Sequence, residues 1–222
     1  MEQAAGIKWT KTCYGVDLQG ENTVAVKAVR SGNKVNCLVI APAGIPRMLE
    51  YISDGAPVAA CMSASKSFVR WLDAPFSAPR KAMKVFPTLL DMELPFPLEE
   101  CLYSFVCRQA TDRNTMRALA AAARISDVEK CIALYRQAGM DPMVIDQEGL
   151  ALWHQCLKDN PVSMAETGLR AVVWLGLDHW ILSAGDSKGL ISSHVIRTDD
   201  APNFRRILEA ISGKDGHRIH WF

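Results

Sequence analysis

The 222-residue sequence has no apolar run approaching the roughly 18–20 residues that a membrane-spanning helix needs, so no transmembrane segment is expected. Its first residues, Met1-Glu2-Gln3-Ala4-Ala5-Gly6, lack both a basic region and a long apolar core, which argues against a secretory signal peptide. Neither sign of charge is in excess: 25 Lys and Arg stand against 24 Asp and Glu, mixed along the chain. That balance gives no electrostatic case for nucleic acid or an anionic membrane as partner. The seven cysteines include no CxxC pair, are odd in number and fall mostly within apolar patterns. They read as small buried hydrophobes of a reducing compartment, so a cytoplasmic location is expected. Gly-Gly does not occur at all. What remains, with 49% apolar and 22% charged residues, is the composition of a soluble globular protein, long enough for one large domain or two small ones.

The chain also repeats itself. Arg47-Met48-Leu49-Glu50-Tyr51-Ile52-Ser53 and Arg206-Ile207-Leu208-Glu209-Ala210-Ile211-Ser212 agree at Arg, Leu, Glu, Ile and Ser. Each follows three strand-like segments; the first precedes the apolar run Val58–Met62 and the second precedes Arg218-Ile219-His220-Trp221-Phe222. The spacing is too long for a solenoid and suggests two related halves. In the first half, Thr12–Leu18, Thr23–Arg30 and Lys34–Ile40 read as a meander with turns at 19–22 and 31–33. In the second, Arg170–Gly176, Trp180–Ala184 and Leu190–Arg197 do so, followed by a helix over Pro202–Ser212 and a strand over His217–Phe222.

Between them, Phe68, Arg70 and Leu72 suit a strand, and Pro79–Met92 has helical spacing that Pro87 should kink or split. Cys101–Val106 looks extended, whereas Met116–Ala123 is ambiguous because its alanines favour a helix. Ser126-Asp127-Val128-Glu129 has capping-box form, heading a helix that should bury Val128, Ile132, Leu134 and Tyr135 and stop at Gly139. A strand over Met143–Asp146 and a helix over Gln147–Lys158 follow.

Few side chains suggest chemistry by themselves. His217-x-x-His220 has metal-ligand types, but strand spacing sets the two on opposite faces. Asp178-His179 would serve as an acid/base pair, or simply as a polar turn. Ser63 and Ser65 lack a nucleophile elbow. Arg80, Lys81 and Lys84 read as a solvated helix face, and the six tryptophans as core or interface anchors. The proline-rich stretch Leu94-Pro95-Phe96-Pro97-Leu98-Glu99-Glu100 ends a helix, or shapes a groove for an extended peptide.

A β-β-β-α-β unit that occurs twice resembles the actin, Hsp70 and sugar-kinase superfamily. The stretch Leu94–Glu100 and the turn Ala138-Gly139-Met140-Asp141-Pro142-Met143-Val144-Ile145-Asp146 are similar to the PilM / GspL cytoplasmic-domain family of type IV pilus and type II secretion systems. The resemblance implies an α/β, duplicated actin-like ATPase (ribonuclease H-like) fold, its second half incomplete, with an inserted α+β subdomain. It divides the chain into a first half over 1–64, an insertion over 65–124, the remainder of the first half over 125–168 and the start of a second half over 169–222. It also makes Met116–Ala123 a strand.

The superfamily's nucleotide sites need two tight turns whose backbone approaches phosphate, hence glycine, and an acid for Mg²⁺. Here the first loop reads Asp17-Leu18-Gln19-Gly20-Glu21-Asn22-Thr23. The acid is kept, Gly20 is displaced by one position, and Glu21 adds repulsion of a few kcal/mol at about 4 Å and an effective dielectric of about 20. The second loop has Trp174-Leu175-Gly176, with Asp178 as the nearest acid. The segment that carries the family's adenosine loop is not expected in this chain. ATP and Mg²⁺ are therefore disfavoured as cofactors. The implied role is a non-catalytic cytoplasmic scaffold at the inner membrane. Its partners would be a bitopic membrane protein or its cytoplasmic tail and an assembly ATPase, with a homodimer through a sheet edge as a further option. The alternative is an active ATPase of the same superfamily, seen only in part.

Overall fold

The computed structural model describes residues 11–18, 23–40, 52, 55–109, 114–159, 169–176, 178–186, 189–213 and 219–220. The chain divides into two compact units: Met1–Met62 with Val128–Asp146, and Ser63–Asp127 with Gln147–Phe222.

The first unit is built on β1 (Thr12–Asp17), β2 (Val24–Ser31), β3 (Lys34–Ile40), β4 (Val58–Met62) and β8 (Val144–Gln147), in the order β3-β2-β1-β4-β8. Gly32, at φ 60°, lets a two-residue turn close the β2–β3 hairpin at the pair Ser31↔Lys34. β1 and β2 are antiparallel, and β4 joins β1 in parallel from Tyr14↔Val58 to Val16↔Ala60. Tyr14, Val16, Val58 and Ala60 turn one face towards Tyr135, Ala138 and Met140 from helix α2 (Ile125–Gln137) and its C-terminal turn. Two bonds hold that helix in place. Tyr135 Oη donates to the Val16 carbonyl (2.6 Å) and accepts from the Cys61 N–H (3.1 Å). Burial pushes the phenol above its ordinary range, and the bond from Cys61 offsets only part of that shift.

Helix α2 ends where Gly139 takes φ 77°. Gly139 N–H bonds the Arg136 carbonyl and Met140 N–H the Tyr135 carbonyl, both at 2.9 Å, the paired bonds of a Schellman cap. Its start differs from expectation. The helix follows the preceding strand without a break at Ile125, so Ser126 lies inside it instead of capping it, and Leu134 is 48% exposed.

The second unit contains two sheets. In the first, β5 (Ser67–Ala74), β6 (Cys101–Gln109) and β7 (Met116–Arg124) pair antiparallel in the order β5-β7-β6. Helix α1 (Pro79–Glu93) covers one face, burying Ala82, Phe86 and Leu90 at intervals of four residues. This explains the alanine-rich strand. Ala118, Ala120 and Ala122 alternate inward, and their small side chains leave room for Phe86 against the sheet. Local helix propensity gives way to the tertiary contact. Pro87 does not divide α1, which runs through it: the ring of Pro87 is half-buried, and Phe86 and Leu90 anchor the turns on either side. The proline-rich stretch then leads into β6 through a 3-10 turn over Leu98–Glu100, whose Leu98 N–H bonds Asp91 Oδ1 (3.0 Å). Phe96 meets Phe68 edge-on at 5.4 Å, with the Arg124 guanidinium 4.4 Å from its ring centre. The stretch thus ends α1 and sets the entry into β6.

The other sheet comprises β9 (Leu169–Leu175), β10 (His179–Asp186), β11 (Gly189–Arg197) and β12 (Ile219–His220), in the order β11-β10-β9-β12. β9 and β10 are antiparallel, as are β10 and β11, while β12 is parallel to β9. Order and direction reproduce β3-β2-β1-β4 of the first unit, so the two ends of the chain share one topology. Helix α4 (Ala201–Gly213) packs Phe204, Ile207 and Leu208 against one face. Helix α3 (Glu148–Asp159) packs the buried Trp153 against the other, together with Val172 and Leu190. The first copy of the repeated heptapeptide lies outside the described residues, apart from Ile52. All seven cysteines are free thiols, but only Cys101 is buried and Cys37 is exposed, so they are less uniformly internal than their sequence context suggests. Among the described residues no helix is long and apolar enough to cross a membrane.

Candidate functional site

The residues singled out for phosphate binding fall in different units. Asp17 is the half-buried last residue of β1, in the first unit, and Gly20 lies outside the described residues. Gly176 and Asp178 belong to the second unit, in the connection from β9 to β10, where Asp178 is exposed.

Gly176 is needed for a reason other than close approach of a ligand. A Cβ there would collide with the indole of Trp174 and would lie 2.7 Å from the His179 carbonyl oxygen. The indole of Trp174 therefore covers Gly176, and its ring also meets the His179 ring, with centres 5.8 Å apart. An aromatic side chain fills the tip of this hairpin from within the chain.

His179 has an acid partner, but it is Glu148 and not its neighbour Asp178. Its Nε2 and Glu148 Oε2 are 3.1 Å apart, and since a carboxylate has no proton to donate, Nε2–H is the donor. The Glu148 side chain is 10% exposed, and the same oxygen accepts the Ala64 N–H at 2.7 Å. Glu148 thus ties three segments together: the first turn of α3, the 3-10 turn over Ala64–Lys66, and the start of β10. A charge-assisted bond to a backbone N–H and a second to an imidazole offset the burial of the carboxylate. The serines singled out in the sequence do not join this pair. Ser63 and Ser65 bond each other (3.0 Å), and Ser63 caps the 3-10 turn through the Ser65 N–H. Sequence reading missed Glu148 because an acid in the first turn of a helix reads as ordinary complementation of the helix dipole. The metal reading of His217 and His220 lies partly outside the described residues, and no group of three metal-ligating side chains converges among those described.

No protein-family model and no curated protein matches the sequence. Solved structures do. The cytoplasmic domain of EpsL, an inner-membrane component of the type II secretion system of Vibrio cholerae, superposes with a TM-score of 0.57 at 17% identity. The match covers 92% of this chain and 76% of that one. The PilM–PilN type IV pilus biogenesis complex gives a TM-score of 0.63, also at 17% identity, covering 91% of this chain and 66% of that one. The fold is the actin-like ATPase fold. The sheet order repeats at the two ends of the chain, and the β5–β7–β6 sheet with α1 falls in sequence between β4 and α2. At 17% identity the likeness is one of fold, and function has to be argued from the residues.

Proposed function

We propose that this chain is a cytoplasmic, non-catalytic actin-like scaffold of a type IV pilus or type II secretion-like envelope assembly. It binds the cytoplasmic tail of a bitopic inner-membrane protein and associates with the membrane only through that partner. The observation that carries the loss of catalysis is the Trp174 indole over Gly176. On this reading the ring takes the place of the close phosphate approach that Gly176 would otherwise allow, and Trp174 stands where the superfamily has its metal-holding acid. The partner reading draws on the fold shared with the EpsL cytoplasmic domain and with a structure described as a PilM–PilN complex. Contact with an assembly ATPase and pairing of two copies are further parts of the proposal, as is the four-part division at 1–64, 65–124, 125–168 and 169–222.

Two measurements test it. Calorimetric titration with Mg-ATP is expected to give no binding isotherm, and micromolar affinity would restore the ATPase reading, with Asp17 and Asp178 as its metal-side acids. Affinity capture from the native membrane fraction is expected to recover a bitopic protein whose synthetic tail peptide then binds the purified chain directly. Failure of that peptide to bind would remove the scaffold reading.

A further inference from the structure

Inside the second unit the edges of two sheets face each other. β5 is an edge strand of one sheet and β11 of the other. They touch at one end, where Trp71 Nε1 donates to the Leu190 carbonyl (3.0 Å) and Val69 packs with Leu190. Beyond that contact they part, leaving a cavity of about 300 Å³ in the fork. Its walls are consecutive runs, Ser67–Arg70 on β5 and Ser193–Val195 on β11. Because side chains alternate along a strand, a cavity lying on one face touches every second residue. Unbroken runs on both strands mean that it lies along the edges, where backbone N–H and C=O groups project.

One of those edge groups is already engaged by a substitute. Arg70 Nη1 donates to the Val69 carbonyl at 2.9 Å, the kind of bond a neighbouring strand would supply. Arg70 is exposed, and among the described lining residues it alone carries a permanent charge. The floor is fixed in advance. Ser193 and Gln147, each 9% exposed, are held by a Ser193–Ser183 bond (3.0 Å) and by the Leu150 N–H on Gln147 Oε1 (2.8 Å). A rigid polar floor lowers the ordering cost of binding.

We propose that the fork is a strand-insertion site for an extended peptide segment bearing an acidic side chain. The segment pairs through its backbone with the exposed edges and sets its carboxylate on Arg70. The run Ser67–Arg70 matches about four extended residues, roughly 13 Å at about 3.3 Å each. The inference deepens the scaffold reading, on which it rests for the existence of a peptide partner.

The test is selection of a bead-displayed random heptapeptide library on the full chain. Peptides rich in β-branched residues with an Asp or Glu are expected to be enriched. Arg70→Ala should weaken the best of them at least tenfold and Arg70→Lys less, with circular dichroism unchanged because Arg70 is a surface residue. N-methylation of alternate peptide nitrogens should abolish binding, since it removes strand pairing and leaves side chains intact. Hydrogen exchange should slow at Ser67–Arg70 and Ser193–Val195. No enrichment, equal binding by Arg70→Ala, or protection elsewhere overturns the site. Displacement of the peptide by free glutamate or inorganic phosphate at equal concentration does so too, since the cavity is then a small-anion pocket. If the captured membrane partner's tail binds Arg70→Ala as tightly as the parent, the fork is excluded and the scaffold reading stands. If selected acidic peptides bind but no membrane tail does, the scaffold reading falls and the fork remains.

Discussion

Replacing Tyr135 by Phe removes one oxygen atom and disconnects helix α2 from two strands. The phenol bonds the Val16 carbonyl at 2.6 Å and the Cys61 N–H at 3.1 Å, in a side chain only 1% exposed. A buried hydrogen bond contributes about 0.5–1.5 kcal/mol net, and a buried group left without its partner costs about 1–3 kcal/mol. With the ring retained and both hydrogen bonds of the phenol lost, the expected loss is about 1–3 kcal/mol. Native-state hydrogen exchange reads this locally, because the Cys61 amide is itself one of the donors. Its exchange should accelerate roughly a hundredfold, the equivalent of about 3 kcal/mol, with smaller changes on β2 and β3. The pH dependence supplies a second readout. Burial raises the folded-state pKa of this phenol above the unfolded value of about 10. Its contribution is therefore complete below about pH 10 and is lost as pH rises through the folded value, where the phenolate can no longer donate to Val16. The Phe variant should lack that alkaline loss. A Tyr135→Phe protein within about 0.5 kcal/mol of the parent, or with its Cys61 amide still protected, would refute the bolt.

Three further outcomes are expected. His194 is held below the ordinary histidine range by burial first and by Arg70 second. Its contribution is therefore complete above about pH 6.5 and lost as pH falls through the folded value, so His194→Gln should flatten the acid limb of urea unfolding in the second unit. Phe86→Ala empties a fully buried site beneath α1 and beside Phe105, with ring centres 5.7 Å apart, and should cost about 3–5 kcal/mol by chemical denaturation. Gly176→Ala forces the Trp174 indole aside, should cost about 1–3 kcal/mol and should shift the tryptophan emission, while Trp174→Ala in the same chain should recover only part because the His179 carbonyl also blocks the new Cβ.

The period-two and period-3.6 patterns of the sequence were enough to locate most elements, since those patterns are imposed by the two sides of a strand or the stripe of a helix. β4 over Val58–Met62, β11 ending at Arg197 and the helix stop at Gly139 were all legible in this way. So was the duplication, because an ancestral β-β-β-α-β order leaves the same succession of turns and apolar runs at both ends. Where local preference and tertiary packing disagree, the sequence was silent or misleading. The alanines of β7 favour a helix by local propensity, and it was the family resemblance that made them the strand observed, where Phe86 needs the room above them. Helix α1 passes through Pro87, which local preference did not foresee, because both neighbouring turns are anchored in the core. Chemistry shows the same division. The chain alone disclosed that an indole stands where an acid was expected, since that is a matter of residue identity. Only the three-dimensional arrangement decided that this indole closes over Gly176, that His179 pairs with Glu148 across 31 residues, and that two sheet edges open onto one cavity, because each depends on which segments folding brings side by side.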